Sequence, residues 1–224
     1  GLRFEAWLGH TDRETLVEGI AQKGPAILLE LRGMFAFAAY DNQKQQLLVA
    51  RDRLGIQPLY LKWQKDEVLI ASKKYFLPGG SCLNSQSISQ VLAFGHETTP
   101  VDISSSETES VVSLPAGIVV RINRKRCHDP VRYWPPQPRP DWSPLPIRKS
   151  SNAYSLVRQQ LEEVVSQYLT ASGEVACDVT TGLDGGIVAG LACLQNSRQI
   201  SAYTVSLYES RTDNAIYARQ LAHH

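Results

Sequence analysis

The chain has 224 residues, 43% hydrophobic and 20% charged, with a formal net charge of +1. That is the composition of an ordinary soluble globular protein, long enough for one large domain or two small ones. Balanced charge gives no general pull toward nucleic acid or an anionic membrane, and no apolar stretch reaches bilayer length.

The opening "GLRFEAWLGHTDRE" has no charged-then-apolar signal pattern. It also lacks an initiating Met, so the chain is expected to begin inside a longer gene product. "RETLVEGIAQKG" reads as a helix. "GMFAFAAYD" is a nearly unbroken apolar run, as a strand buried on both faces would be. A polar turn, "DNQKQQ", leads to a second short strand, "LLVARD". "LGIQPLYLKW" and "EVLIAS" form another strand pair. "SISQVLAFG" has helical spacing with a serine placed to cap it. "VVSLPAGIVVRI" returns to strand character, with Pro115 and Gly117 marking a bend. The basic "RINRKRCHDP" reads as a solvated hairpin tip rather than a nucleic-acid patch.

"YWPPQPRPDWSPLPIRK" carries six prolines. It cannot supply the N–H donors of a ladder or a helix, so 135–150 is expected to be an extended linker. It separates a sheet-rich section, 1–134, from a section over 151–224. In the second section Ala153, Leu156, Val157, Leu161, Val164, Val165 and Tyr168 make one apolar face of a helix. Strand "EVACDVT", helix "GGIVAGLACLQN", strand "QISAYTVSL" and helix "TDNAIYARQLAHH" follow. That alternation predicts the start of a parallel α/β sheet, cut short after two strands.

The strand-to-helix turn "VTTGLDGG" is the richest stretch chemically. Backbone N–H groups at a helix N-terminus favour an anion, and glycines at 182, 185 and 186 let one approach the main chain closely. Asp184 would repel phosphate by itself, so its natural use is to hold Mg²⁺ that bridges to phosphate oxygens. The pattern is neither Walker A nor the dinucleotide fingerprint, and a purely structural glycine turn stays open.

Cys82, Cys127, Cys177 and Cys193 are far apart with no C-x-x-C pair, which suits a reducing cytosol and argues against structural zinc. The five histidines have no metal-site spacing and are expected at the surface.

"LRGMFAFAAYD", "LLVARDRLGIQPLY", "LIASKKYFL" and "SLPAGIVVRINRKRCHDPVRYW" closely resemble the glutamine amidotransferase domain of the asparagine synthetase family. The later section resembles the start of that family's ATP-pyrophosphatase domain, where a strand runs into L-S-G-G-L-D-S-S. The resemblance implies α+β followed by α/β: an N-terminal-nucleophile hydrolase-type sandwich lacking its first strands, over 1–134, then a truncated parallel-sheet domain, over 151–224. It implies a cytoplasmic ligase acting on glutamine, aspartate and ATP with Mg²⁺. Glutamine would be hydrolysed to ammonia, and aspartate activated as an acyl-adenylate and converted to asparagine. Oligomeric state is left open, a homodimer included.

The resemblance places Asp12 at the glutamine α-ammonium, although Asp12 also reads as an N-terminal helix cap with Glu14 in the first turn. It places Val179, Thr180, Thr181, Gly182, Asp184, Gly185 and Val205 around ATP and its pyrophosphate, with Asp184 on the metal. "ARDRLGIQPLY" is expected to be structural, with a buried Asp52–arginine pair. Thr181 replaces a family glycine, and Gly185 and Gly186 replace two serines. Each lost hydroxyl removes a charge-assisted bond of roughly 1.5–3 kcal/mol, so weak ATP binding is expected. No nucleophilic cysteine precedes Asp12, so no catalytic residue of glutamine hydrolysis is assigned and the chain is expected to be inactive alone. Two other readings follow: a β-lactam synthetase or lasso-cyclase-like amide ligase, and a non-catalytic relic serving as a binding or regulatory module.

Overall fold

The computed structural model describes residues 11–64, 67–79, 85–95, 111–123, 126–127, 130–134, 151–169, 174–180, 182–195, 200–206 and 214–223. The chain divides into two compact units, Gly1–Asp141 and Trp142–His224. The linker expected over 135–150 lies outside the described residues.

Helix α1 (Asp12–Lys23) opens the described part of the first unit. Its start is written in T-x-x-E: the Thr11 hydroxyl accepts from Glu14 N–H at 3.3 Å, and the Glu14 carboxylate accepts from Thr11 N–H at 3.1 Å. Two helix-end donors are thereby satisfied. A 3₁₀ turn over Gly24–Leu29 follows and buries Ile27 and Leu28 completely.

Two antiparallel sheets come next. The first contains β1 (Ala36–Asp41), β2 (Gln46–Arg51), β6 (Ile118–Asn123), β7 (Arg126–Cys127) and β8 (Val131–Arg132). Its order is β1-β2-β6-β7, with β8 also paired to β6. The second contains β3 (Tyr60–Gln64), β4 (Glu67–Ala71) and β5 (Val112–Ser113), in the order β4-β3-β5. Strand alternation sorts the side chains by face. Val49, Ile118, Val120 and Ile122 of the first sheet share one core with Leu61, Trp63 and Val112 of the second. The two sheets are therefore stacked layers. On the other face of the first sheet, Leu48, Ala50 and Val119 pack with Ile27, Leu28 and Tyr133.

The expectation that β1 is buried on both faces is corrected: Ala38 and Tyr40 are exposed. Among the described strands β1 lies at the sheet edge, and alanine-rich apolar runs suit an edge as well as a centre. Helix α2 (Ser85–Phe94) forms where helical spacing is expected, but it starts two residues before Ser87, so the expected serine cap is corrected: Ser87 lies inside the helix.

The string from Arg51 to Gln57 ties the layers together. The Arg51 guanidinium donates to the carbonyls of Gly55 (2.6 Å), Gln57 (2.7 Å) and Leu114 (2.6 Å), and to Ser113 Oγ (3.3 Å). Asp52 is 1% exposed, and its carboxylate accepts from the backbone N–H groups of Leu54, Ile56 and Gln57 at 3.1, 3.0 and 2.9 Å. The expected Asp52–arginine pair is corrected accordingly, because the charge is met by main-chain dipoles. Arg53 instead donates to Leu29 O and lies over the Trp134 ring, 4.4 Å from its centroid. The Tyr133 hydroxyl donates to Arg51 O at 2.7 Å. Burial, then the nearby Asp52 charge, push that phenol up to about 12 against the opposing pull of Arg53.

In the second unit, α3 (Ser151–Tyr168) precedes β9 (Ala176–Asp178), α4 (Leu183–Gln195), β10 (Ser201–Tyr203) and α5 (Asn214–Ala222). β9 and β10 pair in parallel, joined through α4, as the alternation predicts. The core is small: Val165 of α3 against Leu191 and Ala192 of α4, with Leu169, Cys177 and Ile200 packed beside them. Burial, and next the neighbouring Cys193 thiol, hold the Cys177 thiol above its usual range. The apolar face expected on α3 forms, but only Val165 of it is buried. Among the described residues, no helix is long and apolar enough to cross a membrane.

Candidate functional site

Beyond Asp178 the chain leaves β9 while still tied to β10, because Val179 N–H donates to Tyr203 O at 2.9 Å. Val179 is buried, and its amide is used by the sheet. Thr180 is exposed, and its hydroxyl accepts from Gly182 N–H at 3.2 Å, closing the turn locally. Thr181 lies outside the described residues. Helix α4 then starts at Leu183, with Asp184 exposed in its first turn.

Gly185 has a packing role beyond the anion approach and the lost hydroxyl expected of it, whereas Gly186 has none. A Cβ on Gly185 would sit 3.2 Å from Asp178 O and 3.7 Å from Thr180 N. The first turn of α4 thus lies close to the end of β9, and a serine there would require the strand end to give way by a few tenths of an ångström. A Cβ on Gly186 would meet Leu221 of α5 at 3.9 Å, an ordinary contact.

Val179, Thr180, Gly182, Asp184 and Gly185 are thus gathered at the C-terminal end of the parallel pair. The β9–β10 register continued from Tyr203↔Asp178 brings Val205, which is exposed, level with Thr180. This is the edge of a parallel sheet where ligands of α/β folds are bound. The unpaired N–H groups at the start of α4 and its dipole favour an anion, and the exposed Asp184 carboxylate can hold a cation beside it. Among the described residues no group of three or more His, Cys, Asp or Glu side chains gathers as a metal site. Magnesium suits such a place, since one or two carboxylates plus substrate phosphates commonly hold it.

Asp12 lies in the first unit, exposed in the first turn of α1. The cap is completed by Thr11 and Glu14, so Asp12 is not used by it.

Thr204, beside Val179 in the continued register, escaped the sequence reading. Its hydroxyl oxygen is shut off from solvent and has no hydrogen-bond partner. Because an unmet buried hydroxyl is costly, Thr204→Val is expected to be neutral or to stabilise by about 1 kcal/mol. Urea denaturation checks this, and a loss above about 1 kcal/mol would show that the hydroxyl does bond.

Comparison with known proteins bears on both units. A glutamine amidotransferase domain model matches residues 2–134, and an asparagine synthase model matches residues 156–224. A putative glutamine-hydrolyzing asparagine synthetase of Mycobacterium tuberculosis is 29% identical over 197 residues, covering 86% of this chain and 30% of that protein. Asparagine synthetase B of Escherichia coli is 38% identical over 97 residues, 38% of this chain and 17% of that protein. The amidase chry2 of Gibberella zeae is 30% identical over 192 residues, covering 83% of this chain and 27% of that protein. The chain thus spans less than a third of the length of these relatives. Since the amidotransferase model alone matches more than half of its residues, the chain belongs to the asparagine synthetase family, carrying its glutamine amidotransferase domain and the start of its synthetase domain.

Proposed function

We propose that the chain is part of an ATP-dependent ligase that forms an amide on aspartate, with ammonia supplied by glutamine hydrolysis. The observation that carries this reading is the turn between β9 and α4, with helix N–H groups and the Asp184 carboxylate side by side at the C-terminal end of a parallel pair. The first unit is read as an N-terminal-nucleophile type sandwich, in keeping with its two stacked antiparallel sheets. Glutamine is assigned to it, with Asp12 facing the α-ammonium.

In the second unit, the start of α4 binds the phosphates through main-chain N–H groups. Gly182 and Gly185 let the turn fold tightly, Gly182 beside the Thr180 hydroxyl and Gly185 against Asp178 O, which gathers these groups in one place. Thr180, whose oxygen already accepts from Gly182, keeps its own O–H to donate. Asp184 holds Mg²⁺, which when bound neutralises phosphate charge. Val205 flanks the adenine. Glycine at 185 and 186 leaves the phosphates fewer side-chain donors than the family's serines provide, so the grip on ATP is weak.

The test is pyrophosphate release from ATP by the longest reading frame that contains this chain, supplied with aspartate, glutamine and Mg²⁺. Release that depends on aspartate is expected, and Asp184→Asn should cut its rate by about 10²-fold or more, as losing a charge-stabilising contact does. Release unchanged in the Asp184→Asn protein would remove Asp184 from the site. No release with aspartate would overturn the aspartate reading, and no release with any carboxylate would leave the relic reading in its place.

A further inference from the structure

The two faces of the β9–β10 pair differ at the end that carries the candidate site. Strand alternation turns Cys177 and Val179 toward α4: Cys177 packs against Val165, Leu191 and Ala192, and Val179 is buried. Asp178 and Thr180 therefore project from the opposite face. The parallel register Tyr203↔Asp178 puts Tyr203 on that face too, and Val205 lies one pleat farther along. Asp178 thus stands beside Tyr203 and one pleat short of Thr180 and Val205.

A carboxylate is out of character there. Asp is depleted in strands, and among the described residues nothing pairs with this one. Its position gains a chemical meaning once a nucleotide is laid along the strand ends. With phosphates at the start of α4 and the base beside Val205, the sugar joining them has to pass over the Thr180–Val205 row. Asp178 is the next residue inward on that face, roughly 7 Å along the strand, a gap that its side chain and one hydrogen bond span. An ionised carboxylate only accepts, and it does so through two oxygens, which matches two neighbouring hydroxyls. Carboxylates take the ribose in the same way in dinucleotide-binding α/β folds.

We propose that Asp178 is a ribose-binding residue of the nucleotide site, its carboxylate accepting from the sugar hydroxyls. The assignment rests on the ATP site proposed above and adds a selection to it. Main-chain N–H groups hold phosphates, which ribonucleotides and deoxyribonucleotides share. Asp178 prefers the sugar that carries both hydroxyls, because a missing hydroxyl leaves one of its oxygens without a donor.

Pyrophosphate release by the longest reading frame that contains this chain tests this, with ATP, 2′-deoxy-ATP and 3′-deoxy-ATP compared. A hydrogen bond to a charged group corresponds to a preference of about 10- to 100-fold in kcat/KM for ATP over each deoxynucleotide. Asp178→Ala should lower kcat/KM for ATP by about that factor and leave the deoxynucleotide values alone, so that the ratio falls to about one. Asp178→Asn keeps one acceptor oxygen and should keep part of the preference. Each ratio is taken within one preparation, so a partly unfolded variant does not distort it. Release with ATP and a preference untouched by Asp178→Ala, or a wild type indifferent to the sugar, would sink this assignment alone. No release with any nucleotide would overturn the ATP site and this assignment together.

Discussion

Replacing Gly117 with alanine is expected to cost the first unit on the order of 3–4 kcal/mol, lowering its melting temperature by about 10 °C. Two causes add. Gly117 has φ +66°, a left-handed conformation that costs a residue with a Cβ roughly 1–2 kcal/mol. The Cβ would also collide with the Trp134 carbonyl oxygen, which is backbone and cannot rotate aside. Trp134 is held there because its N–H and that of Tyr133 both donate to Gly117 O, while Gly117 N–H donates to Asp52 O. Relief therefore means moving the end of β8 or breaking the bend before β6. Gly95→Ala is the control: its φ is +77°, yet a Cβ there meets nothing within 4 Å. It should show the conformational cost alone. If thermal denaturation finds Gly117→Ala and Gly95→Ala equally destabilised, the collision carries no weight.

How far the sequence discloses such features depends on whether their causes are local. The start of α1 is legible to within one residue: the string offers Asp12 as the cap, and the fold uses Thr11, which is closed by Glu14 three residues on. The β9-to-α4 turn is legible because glycines mark a change from strand to helix periodicity. The bend before β6 shows in Pro115 and Gly117, but its partner Trp134 is seventeen residues on and no pattern names it. β1 misleads for a related reason: Ala36, Ala38 and Ala39 suit a covered face or an open one, and edge position is set by which strands pair. Asp52 between two arginines suggests an ion pair to any reader of the string. The fold gives the carboxylate something closer, a turn whose N–H groups converge on it, and sends both guanidiniums to carbonyls. In the candidate site, glycine at 185 is visible while its approach to Asp178 is not, since the proximity of the first turn of α4 to β9 exists only in the folded unit.

Substituting Asp52 with asparagine should destabilise the first unit by about 3 kcal/mol and flatten its acid denaturation. Asparagine keeps the shape and loses the charge. One of its two terminal atoms becomes an NH₂ donor, which must face a backbone N–H that a carboxylate oxygen had accepted. Bonds to a charged group are worth about 1.5–3 kcal/mol, and a buried donor left unmet costs about 1–3 kcal/mol. The pH dependence follows from the same geometry. Burial alone would raise the Asp52 pKa, but the N–H groups of Gln57, Ile56, Leu54 and Gly55 outweigh it and hold the carboxyl below the ordinary carboxylate value. A folded-state pKa below the unfolded one means that the unfolded chain binds the proton more readily. The stabilisation is therefore complete above the unfolded pKa of about 3.9, and it is lost as pH falls through the folded value. Urea midpoints measured from neutral pH down to about pH 2 should thus converge for wild type and Asp52→Asn at the acid end, with the wild type ahead near neutrality. Two parallel curves would mean that Asp52 titrates alike in both states and that the converging N–H groups do not stabilise its charge. In that case the tie between the two sheets would rest on Arg51, and Arg51→Lys, which cannot reach the Gly55, Gln57 and Leu114 carbonyls at once, would be the more damaging change.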